Sequence, residues 1–143
     1  MVATALRSVC ILLLVCGCST SEKAVTRKLT NGDFKYWELT SIRMFNGEVM
    51  QVSEGTIFKK FGADGSFLEL VYDNGEVYDA NKREQFPVPN TWSYVNPKKI
   101  VLDGSELELV KLSENTLVYD IGGEVYCFRK SGEPGVTHFI LHD

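Results

Sequence analysis

Turn signals at short, regular intervals constrain this chain more than any other feature. From Phe34 onward they are Asn46-Gly47, Ala63-Asp64-Gly65, Asp73-Asn74-Gly75, Asn96-Pro97, Asp103-Gly104, Ser113-Glu114-Asn115 and Gly122-Gly123. Asn-Gly and Asp-Gly pairs accept the positive φ angles that tight hairpins demand. Between them lie short segments rich in aromatic and branched residues: Tyr36–Arg43, Thr56–Phe61, Ser66–Tyr72, Thr91–Val95, Lys99–Asp103, Glu106–Lys111, Thr116–Ile121 and Glu124–Lys130. Several alternate apolar with polar, the period of a half-buried strand. Trp37 and Leu39 share one face, as do Leu107 and Leu109, with Glu106 and Glu108 on the other. No window of a dozen residues has helical periodicity. The spacing predicts an all-β fold: an antiparallel up-and-down meander of about eight strands. A meander that long removes its edges by curling into a small barrel or a strongly curved sheet.

Two connections interrupt the rhythm. Asn46–Gly55 contains Met50 and Val52, enough for a further short strand or a flap. Asp79–Asn90 ends Gln85-Phe86-Pro87-Val88-Pro89-Asn90, and its spaced prolines exclude a central strand and stiffen the segment. It reads either as a loop crossing one barrel end with Phe86 plugged into the core, or as a binding lip.

The N-terminus supplies an address. Arg7 precedes the apolar run Val9–Val15, which is too short to span a bilayer core needing roughly 20 apolar residues but has the length of a signal-peptide h-region. Gly17 then precedes Cys18, the pattern of a lipoprotein processing site, so Cys18 is the expected lipid attachment point and residues 1–17 the expected signal peptide. Cys16 is the weaker alternative because Val15 before it is bulky. A diacylglyceryl cysteine, with palmitate the expected acyl chain, anchors stably, since a single acyl chain binds a membrane only marginally. Polar residues Ser19 to about Thr30 make 18–33 an expected flexible tether, 34–130 the folded domain and 131–143 a C-terminal tail. Ser19 rather than aspartate after the cysteine points to the outer membrane.

Charge and cysteine content narrow the partners. Removing residues 1–17 from the 143 leaves 126, one domain's worth, and takes Arg7 from the 15 basic residues, so 14 face 19 acidic ones. That balance excludes nucleic acid, which requires a basic stripe. Of four cysteines only Cys127 stays free, so the domain forms no internal disulfide, and the flanking Val125, Tyr126 and Phe128 predict a buried thiol.

The pattern resembles the small lipocalin-like domains of Gram-negative lipoproteins. The resemblance rests on Trp37-Glu38-Leu39, on Phe61-Gly62-Ala63-Asp64-Gly65-Ser66-Phe67, on Trp92-Ser93-Tyr94 with Ile100-Val101-Leu102, and on Leu109 to Val118 followed by Phe128-Arg129-Lys130. It spans Phe34 to Lys130 and implies a β-barrel-like fold and export to the envelope. It carries no catalytic motif. The domain is shorter than a full lipocalin, and eight short strands enclose a space that side chains can fill.

Catalytic and metal-binding patterns are sparse. His138 and His142 are the only histidines, four apart, with no third ligand to complete a set. Asp73, Glu76 and Asp79 lack the regular spacing of a calcium loop. Glu106 and Glu108 alternate with core leucines, whereas glycosidase carboxylates flank a cleft from separate elements. No nucleophile elbow, phosphate loop or dinucleotide fingerprint occurs. The expectation is therefore a non-enzymatic, cofactor-free and metal-free envelope lipoprotein that binds a small apolar ligand or a partner protein. The alternative is an accessory subunit of an outer-membrane complex with no ligand of its own. Phe86, Trp92 and Tyr94, with Tyr78 nearby, are the candidate contact residues, in competition with a purely structural core role.

Overall fold

The structure, a computed structural model, describes residues 20–80 and 90–135. It contains ten strands: β1 (Phe34–Arg43), β2 (Val49–Gln51), β3 (Ile57–Gly62), β4 (Phe67–Asp73), β5 (Glu76–Asp79), β6 (Trp92–Asn96), β7 (Lys99–Leu102), β8 (Ser105–Leu112), β9 (Thr116–Ile121) and β10 (Glu124–Ser131). All eight expected strands are present within a residue or two. The two additions are β5 and β2, the latter inside the long Asn46–Gly55 connection. Type I′ geometry explains why the turns were legible: Asn74 and Gly75 have φ of 52° and 81°, and Asp103 and Gly104 have 49° and 83°.

The strands form one antiparallel, strongly curved sheet in the order β5-β4-β3-β1-β10-β9-β8-β7-β6, with β2 beside β1. The first long strand thus lies mid-sheet: β1 pairs with β3 through Phe34–Glu38, with β2 through Ser41–Arg43, and with β10 along its other edge. The two flanks of this half-barrel meet at one bridge, Ser66↔Thr91. Around it Phe67 N donates to Asn90 O (3.0 Å) and Trp92 N to Gly65 O (2.9 Å).

The expected flexible tether is corrected. Residues 20–30 are a helix, α1, and the folded unit begins well before residue 34. Val25 and Leu29, four apart, enter the core, and Thr30 is buried beside them. Burying each apolar side chain contributes roughly 1.5–3 kcal/mol. The helix ends at Asn31, whose φ of 56° lets its N–H reach Arg27 O at 2.8 Å. Its last carbonyls face inward: Trp37 Nε1 donates to Leu29 O (3.0 Å) and Lys35 Nζ to Lys28 O (2.9 Å). Lys35 also donates to Glu114 O at 2.7 Å, and burial holds its pKa below the usual lysine value.

These bonds define two ends. The turns at 31–33, 63–65, 97–98 and 113–115 lie at the helix end, tied by Ala63 N to Asp33 O and Lys130 N to Asn115 O. The turns at 44–48, 74–75 and 122–123 lie at the opposite end, where Phe45 packs against Gly123, whereas the 103–104 turn lies on the closing seam, with Asp103 N donating to Thr91 O at 2.8 Å beside the Ser66 bridge. No helix among the described residues is long and apolar enough to cross a membrane.

Candidate functional site

Inward-facing residues can be read from the cross-strand ladder. Phe61, Lys59 and Ile57 of β3 lie opposite Phe67, Glu69 and Val71 of β4. Leu117, Tyr119 and Ile121 of β9 lie opposite Phe128, Tyr126 and Glu124 of β10. Toward the helix end these rows are apolar and closed. Trp37, Phe61, Phe67, Trp92, Ile100, Leu117 and Phe128 fill the interior together with Leu29 of α1. Phe61 packs on Phe67 and Trp92 with ring centroids 5.1 and 6.1 Å apart. Side chains fill this part of the barrel.

The other end differs. Ile42, Ile57, Ile121 and Tyr126 are only half-buried there, and charge appears on the inner face. Lys59 Nζ pairs with Glu69 Oε2 at 2.5 Å, with the lysine side chain 11% exposed and the glutamate 35%. A carboxylate in register with the inward-facing residues that keeps a third of its surface in contact with solvent shows that the inner face is not sealed at this level. The pair looks across the barrel at two phenols. Tyr119 stacks on Tyr126 at 5.4 Å, and Tyr126 Oη donates to Glu124 Oε2 at 2.8 Å. Burial, the bond to Glu124 and the charge of Glu69 push the Tyr126 pKa up to about 12. Burial above all, with Glu69 adding to it, raises Tyr119 as well. Asp103, in the turn at the closing seam, accepts from Thr91 N at 3.1 Å, and burial raises its pKa despite that bond and nearby Lys59. The mouth therefore presents an apolar ring of isoleucines, tyrosine faces and one Lys–Glu pair, which suits a small amphipathic molecule: apolar body against the ring, polar end at the pair.

The sequence-derived candidates fare unequally. Trp92 is 6% exposed and its Nε1 donates to Gly62 O at 2.7 Å, so it belongs to the core that closes the barrel rather than to an accessible surface. Tyr94 shares its inner face and packs half-buried against the core, one pleat nearer the helix end. Phe86 and Cys18 lie outside the described residues, as do His138 and His142. Cys127 is half-buried rather than buried, paired across β1 with Ser41 just beyond an irregularity between Leu39 and Ser41. Glu106 and Glu108 are exposed, Glu106 pairing with Lys99 at 2.9 Å. No group of three metal-ligating side chains occurs among the described residues.

Sequence reasoning missed Lys59 and Glu69. The signal was there: in Ile57-Phe58-Lys59-Lys60-Phe61 and Phe67-Leu68-Glu69-Leu70-Val71, a charge stands in phase with inward-facing apolar residues on two strands joined by a tight turn. A second unforeseen polar centre holds the outer face. Glu38 is buried, accepts the Gly55 N–H, and pairs through Oε2 with Arg129 Nε at 2.8 Å. Arg129 also reaches Glu54 at 2.9 Å. This cluster fastens the segment between β2 and β3 to the sheet, so the Asn46–Gly55 connection is tied down at its end.

No family model matches the chain, and no curated protein matches its sequence. Solved structures do match its shape. A lipocalin-like protein from Bacteroides uniformis superposes with a TM-score of 0.55 at 18% identity, covering 73% of this chain and 99% of that one. An uncharacterized protein from Bacteroides eggerthii gives 0.53 at 17% identity, covering 68% and 98%. At such identities the likeness concerns the fold.

Proposed function

We propose that this chain is a lipid-anchored envelope protein whose lipocalin-like domain captures a small, largely apolar ligand at its open end. The reading is carried by one observation: an inward-facing Lys59–Glu69 pair, still touched by solvent, sits above a closed aromatic core and below a ring of half-buried isoleucines. A purely structural barrel has no need to desolvate such a pair, because apolar residues of similar volume fill a core at least as well. The absence of a nucleophile motif in the sequence favours binding over catalysis. Anchoring at Cys18 and residence in the outer membrane belong to this proposal and rest on the signal sequence alone.

The test is a fluorescence titration with alkyl amphiphiles of medium chain length bearing cationic, neutral or anionic ends. Saturable one-to-one binding that vanishes in Val71→Trp, which fills the mouth, supports the proposal when melting is unchanged. Absence of saturable binding across the panel contradicts it.

A second reading has its own observation. The β1–β2 hairpin leaves Phe45 74%, Val49 57% and Met50 50% exposed. Clustered apolar residues on a protruding tip favour a protein partner. A Phe45→Ser/Met50→Ser variant separates the two: it weakens capture of an envelope protein while leaving amphiphile binding intact.

A further inference from the structure

We propose that the domain seats its helix end directly against the bilayer and turns its mouth away from it. The inference rests on the reading of Cys18 as the lipidated residue. Cys18 lies two positions before residue 20, where α1 is already formed, a reach of about 7 Å at most. From there the chain is committed to the domain, because Val25, Leu29 and Thr30 are buried in it. The helix also lies along the barrel floor rather than projecting from it. Glu22, Lys23, Thr26 and Arg27 border a shallow groove of about 540 Å³ whose other wall is Gly32 and Ala63. A lipid at Cys18 therefore brings the floor to the headgroups. The mouth lies at the far end of β1, ten residues away, or roughly 33 Å along the strand.

Charge favours the same arrangement. The solvent face of α1 carries Lys23, Arg27 and Lys28 against Glu22, and the turns at the same end add Lys98 against Asp33, Asp64 and Glu114, so that end is balanced, four basic residues against four acidic. The three turns at the mouth and their flanks carry Glu48, Asp73, Glu76, Asp120 and Glu124 against Arg43. An anionic bilayer leaves the balanced end unopposed and repels the acidic one within about a Debye length, ~10 Å at moderate salt. The net acidity of the chain conceals this division between its ends.

The experiment uses the full gene expressed in a Gram-negative host, with the processed protein extracted from membranes. It is reconstituted in vesicles of phosphatidylcholine and phosphatidylglycerol that carry a headgroup-attached quencher. Ala24→Cys on the helix and Glu76→Cys at the mouth, each in a Cys127→Ser background and checked for unchanged melting, receive the same fluorophore. The label at position 24 is expected to be quenched severalfold more than that at 76, and Lys23→Glu/Arg27→Glu is expected to narrow the difference. Equal quenching, or stronger quenching at 76, overturns the proposed orientation. Mass spectrometry of the extracted chain keeps the two ideas apart. Lipid on Cys18 with equal quenching refutes the orientation alone, whereas a Cys18 without lipid removes the anchor and the orientation with it.

Discussion

Single side chains in this domain do two kinds of work, and each kind has a measurable signature. Trp37 is wholly buried and also satisfies Leu29 O at the end of α1. Trp37→Ala is expected to cost about 3–5 kcal/mol in urea unfolding, near the total stability of a small domain. Trp92→Phe keeps most of the apolar volume and removes one of the two bonds to Gly62 O, which still accepts from Gly65 N, at an expected cost of about 0.5–1.5 kcal/mol. Tyr126 reports on the mouth. With its pKa raised to about 12, its phenol stays neutral well past the usual tyrosine range. The folded state therefore holds that proton more tightly than the unfolded chain, whose tyrosines ionise near pH 10. The associated stability is fully present below about pH 10 and is lost as pH rises toward 12. Ultraviolet titration of Glu124→Gln should show the phenol ionising at lower pH than in the parent, since the carboxylate that accepts its proton is gone. An unchanged titration would mean that burial and the charge of Glu69 set the value without the Glu124 bond. Trp37 was identifiable from strand alternation. Its bond to a helix was not, because that depends on an element the sequence hardly announces.

At the scale of elements, the strands were legible and the helix was not, for the same physical reason. A two-residue hairpin is specified by the dipeptide that forms it, so Asp73-Asn74-Gly75 and Asp103-Gly104 declare their turns locally. Helix α1 has only two apolar anchors, Val25 and Leu29, set in a polar stretch, and its stability comes from tertiary packing that no local window contains. The central position of β1 was likewise hidden, because strand order is settled by pairings nearly a whole chain apart, such as Trp37↔Lys130. Leu29→Asp is expected to undock α1 and cost at least as much as a large-to-small core change, about 2–5 kcal/mol. Circular dichroism should then lose helical signal while the sheet signal survives at low temperature. The outer cluster makes a separate forecast. Glu38→Ala frees Gly55 N–H and leaves Arg129 with Glu54 as its remaining partner, so amide exchange should quicken between residues 52 and 56 and stay unchanged in α1. Uniform quickening would show that the cluster supports the whole sheet rather than one segment.

Considered whole, the molecule is a curved sheet with a filled end and an accessible one. That asymmetry lets a short chain keep a continuous apolar core at one end while its inner face meets solvent at the other. The helix and the aromatic layer from Trp37 to Trp92 supply most of the core, and the rim at Ile57, Val71 and Ile121 packs on it only half-buried. The candidate site was half legible: the aromatic residues singled out by the sequence, Trp92 and Tyr94, turned out to line the closed end, while the charged pair defining the mouth was masked by ordinary-looking lysines and glutamates in strands. Anchoring makes a whole-molecule prediction of its own. Cys18→Ala should abolish lipid labelling and leave the protein either released or unprocessed, and a processed form that still sediments with membranes would contradict the anchor. The central claim, that the mouth receives a ligand, is tested most directly by mapping amide chemical shifts as the best-binding amphiphile is titrated into isotopically labelled protein. Saturable shifts concentrated at Ile57, Glu69, Val71, Ile121 and Tyr126, with α1 and Trp92 unmoved, are the expected result. Shifts confined to the outer face or to α1, or none that saturate, would contradict it.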